Sequence, residues 1–588
     1  MKVETRPPAV PDTGDTRRWA MAGGLAAIVA LAAGVLLDAL SGEVPSLVAV
    51  VGQAVIRHTP GSLSRGATES VGSADKPLLL AVIAGLTVAL GTRVGVAAAR
   101  RRRVGDAAFA AAGLFAVVCA ASLDHIPLGP TVVAAAVAAV TGALTLRRLL
   151  AAATSSPSPP PAAVAAPSPS PPPAAVAAPA PAPSPSLLPV PPDPTPADPD
   201  GPSSPPATAG EPGPGEAGDG AVVGPTAWPG QRTVSRRRFL VAGSTAAGGA
   251  AVLLTGAWGL RRGRPSPRAS VTLPGPAGGP APLGSATDGF READGLSPLI
   301  TPNRAFYRID EALIVPAVNL ASWRLKVTGM VDAPFELSHD DLLALPLVER
   351  HITLSCVSNQ VGGPLVGTAT WLGVRLADLL GRAGVQPGAT QVVGRSVDGF
   401  TVGFPVEVAT DGRDALVAVG MNGEPLPAAH GFPARLVVPG LYGYVSATKW
   451  LKEIELTTFE AFDSYWVKRN WARRGPIKVQ SRIDVPRDYG RVAAGARTVA
   501  GVAWAPHRGI GRVEVQVDDG PWHEAALGPA LGDDAWRQWS LPWDATPGEH
   551  TISTRATTAD GEVQTATTKS VFPDGATGHH QVTVRVNA

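Results

Sequence analysis

Long apolar runs dominate the first 260 residues of the chain. Five of them match the roughly 20 helical residues that cross a bilayer, and they cover residues 19–40, 77–96, 107–123, 130–149 and 239–260. Buried helices of a large soluble domain are the alternative interpretation, but four such runs within the first 150 residues favour membrane helices. A weaker apolar run at 44–56 is predicted to be interfacial or re-entrant.

Arginines predict the orientation of the first four runs, because basic residues are retained on the cytoplasmic side. They precede the first run at positions 17 and 18, follow the second at 100–103 and follow the fourth at 147 and 148. The sequence therefore predicts a short cytoplasmic tail at 1–16 and a four-helix transmembrane unit at 17–150, with both ends inside. None of these four runs contains a histidine, so no haem is expected in this bundle.

A different composition follows, in which Pro, Ala, Ser and Gly dominate residues 151–231. The stretch Pro-Ala-Ala-Val-Ala-Ala-Pro occurs at 161–167 and again at 173–179. Such a segment cannot bury enough apolar surface to offset its ordering entropy. It is predicted to be a disordered, partly polyproline linker.

Residues 235–240 read Ser-Arg-Arg-Arg-Phe-Leu and match the twin-arginine export pattern directly before the fifth apolar run. This pattern is an address read by an export machinery that moves folded proteins. An ordinary arginine cluster beside a membrane helix is the alternative. We expect residues 232–262 to form this motif and a fifth, uncleaved transmembrane helix, with the rest of the chain outside.

Beyond a second linker at 263–295, the pattern changes to short apolar runs separated by turns. Residues 323–330, 350–356, 390–395 and 435–439 are predicted to be strands, and Ser338 opens a helix over 338–345 with a Ser-x-x-Asp capping pattern. Residues 296–474 are therefore predicted to form an α+β domain.

From 475 to 588, alternating runs such as 513–517, 550–554 and 581–586 predict an immunoglobulin-like β-sandwich.

The net charge and the cysteine content limit the partners and ligands that we expect for this chain. The formal net charge is +2, which gives no electrostatic reason to expect a nucleic-acid partner. Of the two cysteines, Cys119 lies in an apolar run, so Cys356 has no disulfide partner within the chain. Its thiolate would be free to bind a metal, although a small buried hydrophobic residue is the usual role of a lone cysteine.

Ordered motifs around Cys356 resemble the sulfite oxidase family of molybdopterin enzymes. They are the octapeptide Thr-Pro-Asn-Arg-Ala-Phe-Tyr-Arg at 301–308, Thr-Leu-Ser-Cys at 353–356, Met-Asn-Gly-Glu-Pro-Leu-Pro at 421–427, His-Gly-Phe-Pro-Ala-Arg at 430–435 and Lys-Trp at 449–450. The resemblance extends from about residue 296 to the C-terminus. It indicates a membrane-anchored bacterial type whose C-terminal domain supports dimers.

The resemblance implies one molybdenum-molybdopterin per chain, with Cys356 as the only protein ligand of the metal. It implies that the cofactor is contacted by Asn303, Phe306, Tyr307, Cys356, Ser396, His430, Arg435, Thr448 and Lys449. Arg435 and Lys449 suit the cofactor's phosphate by charge. Arg308 matches a family arginine near the metal and is the candidate for orienting the substrate, so Cys356 and Arg308 are the predicted catalytic residues.

Two departures from the family pattern affect the substrate. Sulfite-oxidising members have an arginine pair shortly after the cysteine where this chain has Gln360 and Val361, and an expected tyrosine aligns with Trp471. A sulfoxide is then as good a candidate as sulfite. The haem domain of animal sulfite oxidases is missing, so a separate electron carrier is required.

Two functions remain open from the sequence. The first is a membrane-anchored molybdopterin oxidoreductase that catalyses two-electron oxygen-atom transfer on a small oxo-substrate on the extracytoplasmic side. The second is a non-catalytic exported binding or adhesion module built on a degenerate form of the same fold. Molybdenum analysis separates the two functions, since only the enzyme requires the metal.

Overall fold

The computed structural model describes residues 13–41, 46–59, 75–123, 126–154, 236–263, 267–313 and 315–588. Most of the predicted cytoplasmic tail, nearly all of the Pro/Ala-rich linker and Ser235 of the export motif lie outside the described residues. The membrane-like helices and the β-rich half belong to one compact unit.

Within the described residues, six helices form the N-terminal part of this unit. They are α1 (Thr13–Ser41), α2 (Leu47–His58), α3 (Asp75–Arg100), α4 (Arg102–Ala121), α5 (Leu128–Thr154) and α6 (Arg236–Gly263). All five predicted spans are confirmed as helices, and each of these helices is long and apolar enough to cross a bilayer. The weak run at 44–56 corresponds to the 12-residue α2, which is too short for that.

Small residues allow the helices to pack closely. A Cβ atom added to Gly95 would lie 2.1 Å from the backbone oxygen of Trp19, so α1 and α3 approach backbone to backbone. The arginine-flanked ends of α1, α3, α5 and α6 meet in one cluster of buried side chains: Ala22, Ala26, Ala98, Leu146, Leu149, Ala153 and Phe239. The opposite end buries residues of α2 and α4 together with Leu123 and Ile126.

Ten strands and four short helices make up the α+β domain. The strands are β1 (Leu325–Gly329), β2 (Phe335–Leu337), β3 (Val348–Ser355), β4 (Val366–Arg375), β5 (Gln391–Ser396), β6 (Thr401–Pro405), β7 (Leu416–Met421), β8 (Glu424–Pro425), β9 (Arg435–Val437) and β10 (Leu451–Thr457). The helices are α7 (His339–Leu343), α8 (Leu376–Ala383), α9 (Val406–Thr410) and α10 (Gly443–Ser446). These elements confirm the four strands and the helix predicted from the sequence.

Two sheets organise this domain. One has the order β2-β1-β10-β5-β6, in which only β1 and β10 pair in parallel. The other has the order β3-β4-β7-β8, with β9 also paired to β7. All six residues of β7 are buried, which explains its continuous apolar sequence. Ser338 and Asp341 form the reciprocal capping box that the sequence indicated at the start of α7.

The C-terminal region is built from strands alone. They are β11 (Gln480–Val485), β12 (Gly490–Ala493), β13 (Gly495–Trp504), β14 (Ile510–Val517), β15 (Trp522–Glu524), β16 (Ala526–Leu527), β17 (Arg537–Ala545), β18 (Gly548–Thr558) and β19 (His580–Asn587). They form two sheets, β11-β13-β17-β16 and β12-β19-β18-β14-β15, which share one buried core. The two-layer β architecture agrees with the sequence pattern, while its assignment as immunoglobulin-like stays a prediction.

The predicted linker at 263–295 runs along both β-rich regions. The backbone nitrogen of Ala277 donates to the carbonyl of Leu347, and that of Gly284 donates to Ala530 across the domain boundary. Thr287 exchanges further hydrogen bonds with Leu527. This extended segment therefore fastens the α+β domain to the C-terminal region.

The helices α2 and α3 also contact the α+β domain. Leu313 donates its backbone N–H to the side-chain oxygen of Gln53 at 3.1 Å. The Nζ atom of Lys76 lies 2.8 Å from Oδ1 of Asp310. The end of the helical bundle that contains α2 and the N-terminus of α3 is therefore the end that faces the α+β domain.

Candidate active site

A deep pocket in the α+β domain contains Cys356. Its empty space, counted out to the mouth, is about 880 Å³. The cysteine follows directly after β3, whose buried residues Ile352 and Leu354 fix the strand in the core. Its backbone is held by a hydrogen bond from its N–H to Leu365, and its Sγ accepts from the N–H of Ser358 at 3.4 Å. The thiol is thus held at the floor of a cavity rather than packed among aliphatic side chains.

Burial raises the pKa of the Cys356 thiol, although the Ser358 N–H and the charge of Lys449 act in the opposite direction. A thiolate in this place therefore needs a cation to compensate its charge. A bound metal ion supplies that compensation, since metal coordination deprotonates a thiol.

Arg435 is the second unusual group in the pocket. The residue is only 4% exposed, and its Nη1 donates to the carbonyl of His430 at 3.0 Å. Its guanidinium stacks 4.9 Å above the ring of Trp371. Burial lowers its pKa to about 10, and no carboxylate within the described part of the chain forms an ion pair with it.

Two buried donor groups at this place lack a hydrogen-bond partner among the described residues. They are the Nε of Arg435 and the hydroxyl of Thr448. A buried cation whose N–H donor has no acceptor destabilises the fold unless an anion binds to it. These two groups, next to the cysteine pocket, fit the phosphate of a molybdopterin.

Lys449 lines the same pocket. Its Nζ donates to Oδ2 of Asp310 at 2.8 Å and to the carbonyl of Ile309 at 3.1 Å. Burial lowers the pKa of Lys449 to about 8, even though Asp310 favours the charged form. Arg308 donates from Nε to the same Oδ2 at 2.7 Å, so one carboxylate oxygen holds two cations.

Asp310 is accordingly a fixed negative charge. Burial by itself would raise its pKa, but Lys449, Lys76 and Arg308 together hold that pKa well below its usual range. The neighbouring Glu311 has a pKa raised by burial and accepts a hydrogen bond from the hydroxyl of Tyr465 at 3.0 Å.

Aromatic rings line the wall next to the cysteine. Tyr307 stacks on Phe306 with ring centroids 5.3 Å apart, and His430 meets Phe306 edge-on at 5.7 Å. Nε2 of His430 donates to the carbonyl of Asn303 at 3.0 Å. Burial lowers the pKa of His430 to about 4, so the imidazole is neutral near pH 7 and suits a hydrogen-bonding role.

The structure brings most of the predicted site residues to this one pocket. Those that line it are Phe306, Tyr307, Cys356, Ser396, His430, Arg435 and Lys449. Asn303, Arg308 and Thr448 are not among the lining residues. Asn303 and Arg308 contact the lining residues His430 and Asp310, and Thr448 precedes Lys449 in the chain. Arg308 is held against Asp310 with 39% of its side chain exposed. Its proposed role in orienting substrate therefore depends on that carboxylate.

Several lining residues were not identified from the sequence. They are Asp310, Glu311, Asp398, Phe400, Tyr444 and Trp466. The acidic pair Asp310-Glu311, which begins two residues after Arg308, was the available signal, because a nearby acidic residue is a natural ion-pair partner for an arginine. Trp471, which was expected at the position of the family tyrosine, lines the pocket, and its Nε1 has no partner among the described residues.

Comparison with known proteins agrees with this geometry. A family described as oxidoreductase molybdopterin binding domain matches residues 312–466. The human protein named sulfite oxidase, mitochondrial, is 32% identical over 304 residues, covering 43% of this chain and 55% of the relative. Sulfite oxidase from Arabidopsis thaliana is 30% identical over 279 residues, covering 39% of this chain and 71% of the relative. The crystal structure of the sulfane dehydrogenase SoxCD from Paracoccus pantotrophus matches with a TM-score of 0.44 and 22% identity, over 51% of this chain and 90% of that one.

The pocket and these matches define a molybdopterin-binding oxidoreductase domain. The chain belongs to the sulfite oxidase family. It spans about half the length of the animal relatives that it matches. The predicted family resemblance is confirmed, and it implies a molybdenum cofactor for the pocket around Cys356.

Proposed function

We propose that this protein is a membrane-anchored molybdenum-molybdopterin oxidoreductase that transfers an oxygen atom to or from a small oxo-substrate. One observation above all supports this proposal. The buried thiol of Cys356 and the guanidinium of Arg435, whose Nε has no partner among the described residues, line the same pocket. When bound, the molybdenum centre supplies two-electron oxygen-atom transfer. Cys356 ligates the metal, and Arg435 with Thr448 and Lys449 binds the phosphate.

The remaining site residues would bind the pterin or orient the substrate. The neutral His430 and the rings of Phe306 and Tyr307 contact the pterin, together with Ser396, while Asn303 fixes the imidazole of His430. Arg308 supplies positive charge near the substrate. The buried rings that line the pocket exclude water, which strengthens the electrostatic interactions inside it.

The substrate is either sulfite or a neutral oxo-acceptor such as a sulfoxide. The names of the human and Arabidopsis relatives favour sulfite. This chain has Gln360 and Val361 in place of the family's basic pair, and this difference in sequence favours a less charged substrate. Neither residue lines the pocket, so the preference comes from the sequence pattern and not from the pocket geometry. Screening the purified protein against both substrates with artificial electron carriers decides between them.

We place the catalytic half on the extracytoplasmic side of a multi-pass membrane protein. Support comes from the arginine-flanked ends of α1, α3 and α5, which cluster at one end of the bundle, while α2 and the N-terminus of α3 contact the α+β domain at the other. The helix α6 has arginines at both ends, so its charges do not distinguish the two sides. Large apolar side chains such as Leu86, Leu114 and Val252 are more than 60% exposed on the helices, as expected for lipid contact. The twin-arginine machinery would export the folded domain.

Electrons would pass to or from a separate carrier, and no haem is expected. The C-terminal β region, predicted to be immunoglobulin-like, would support a homodimer. No nucleic-acid partner is proposed.

The decisive experiment is metal and pterin analysis of the purified protein and of Cys356→Ser. We expect about one molybdenum per chain in the parent protein and loss of both metal and activity in the variant. A folded parent protein without molybdenum or pterin would support the alternative, an exported binding or adhesion module. Normal metal content and activity in the variant would remove Cys356 as the ligand.

A further inference from the structure

One side chain of the membrane helices reaches the wall of the active-site pocket. Lys76 is the second residue of α3, and its Nζ donates to Oδ1 of Asp310 at 2.8 Å and to the carbonyl of Ala312 at 2.9 Å. It also donates to the backbone carbonyl of Asp310. An ammonium group has three N–H donors, and here acceptors of one short loop of the catalytic domain surround it.

The carboxylate that Lys76 contacts also holds two site residues. Its other oxygen, Oδ2, accepts from Arg308 at 2.7 Å and from Lys449 at 2.8 Å. The side chain of Asp310 is only 4% exposed. Asp310 therefore bridges a lysine of the membrane helices to the candidate substrate arginine and to a candidate cofactor lysine.

A second helix supports the same loop. Gln53 of α2 accepts a hydrogen bond from the backbone nitrogen of Leu313. Gly52 allows the close approach, because a Cβ atom added there would lie 2.7 Å from Cδ1 of Leu313. The helices α2 and α3 thus hold the backbone of the loop as well as the carboxylate of Asp310.

We propose that Lys76 is a positioning residue of the active site: by fixing Asp310 it sets the orientation of Arg308 and Lys449, so the membrane helices act on the substrate pocket through this carboxylate. This inference rests on the proposed function. It assigns the membrane helices a role besides anchoring.

The first test separates substrate binding from turnover. In the full-length protein, Lys76→Met should raise KM for an anionic substrate about tenfold, the usual order for losing a hydrogen bond to a charged group, with a smaller change in kcat and unchanged molybdenum content. Lys76→Arg should restore most of the affinity, because it keeps the charge. Arg102→Gln, an exposed charge removed at the opposite end of the bundle, should leave both constants unchanged.

Unchanged KM in Lys76→Met would overturn the proposal. So would an equal loss in Lys76→Arg and Lys76→Met with normal molybdenum content, because a positioning charge should be rescued by a second cation. An equal effect of Arg102→Gln would assign the loss to general damage of the bundle and would count against Lys76.

The second test does not depend on activity. Cysteines at positions 52 and 313 are introduced by Gly52→Cys and Leu313→Cys, and a protease site is inserted within residues 155–235. After oxidation and cleavage, the two fragments should stay joined without reductant and separate with it. The pair Leu313→Cys and Arg102→Cys, whose second position is exposed at the opposite end of the bundle, is the control and should not be joined.

Fragments that never join would refute the docking of α2 on the catalytic domain, and with it the role of Lys76. The proposed function would survive that result if the parent protein contains molybdenum. Joined fragments in a parent protein that lacks molybdenum would instead refute the proposed function. The two failures are therefore distinguishable.

Discussion

Replacing Arg435 by Met should have opposite effects on the cofactor-free protein and on the loaded protein. Burial lowers the pKa of Arg435 from 12.5 to about 10. Since one pKa unit corresponds to about 1.4 kcal/mol, the charged side chain destabilises the cofactor-free fold by ~3 kcal/mol. The charge is destabilising because a lowered pKa means that the folded state disfavours the charged form of the guanidinium.

Met removes this cost and also removes two favourable contacts. Stacking on Trp371 contributes about 1 kcal/mol, and the hydrogen bond to the carbonyl of His430 contributes about 1 kcal/mol. The net expectation for the cofactor-free protein is a gain of ~1 kcal/mol, or about 2–4 °C in the thermal midpoint of a domain of this size. Loss of a phosphate-binding cation should reduce molybdenum content by about tenfold or more.

The assay compares thermal unfolding of the detergent-solubilised, cofactor-free proteins and molybdenum content after expression with the metal. Arg482→Met is the matched control, because Arg482 is similarly shielded but has a carboxylate partner in Asp484 at 2.7 Å. The control should be less stable than the parent, with normal molybdenum content in the folded fraction. A clear loss of midpoint in Arg435→Met with normal molybdenum content would show that the guanidinium is structural, and would refute the reasoning.

Two further predictions concern stability. Burial, with a contribution from Asp414, raises the pKa of Asp534 to about 6, so the folded state favours the protonated form and loses stability as pH rises from about 4 through 6. Asp534→Asn should raise the thermal midpoint at pH 8 by the equivalent of about 1–3 kcal/mol and change little at pH 4; an equal effect at both pH values would contradict this. Gly362 has φ of 75°, and a Cβ atom there would lie 2.1 Å from the ring of His580. Gly362→Ala should lower the midpoint by the equivalent of about 2–4 kcal/mol, measured by the same thermal assay, and an unchanged midpoint would show that the loop after Cys356 moves freely.

Local patterns predicted the elements of this fold well. The five apolar runs gave five long helices, and the strand carrying Leu354 into Cys356 was predicted to within two residues at each end. The Ser338 capping box was readable because both partners lie within one helical turn. These features depend on residues that are close together in the sequence, so they can be predicted from the sequence alone.

Contacts between distant segments could not be predicted in the same way. Lys76 and Asp310 are 234 positions apart, and nothing in either neighbourhood indicates the other. The family resemblance named Thr448 and Asn303 as site residues, but only the tertiary structure shows that neither lines the pocket. The exposed position of Arg308 and its dependence on Asp310 likewise follow from tertiary structure rather than from residue type.

The bond between molybdenum and the sulfur of Cys356 is the central claim. X-ray absorption at the molybdenum edge tests it most directly, on the purified parent protein and on any metal that Cys356→Ser retains. The account predicts a parent spectrum with a protein thiolate in addition to the pterin sulfurs, and one fewer sulfur neighbour in the variant. Identical sulfur coordination in the two proteins would contradict it.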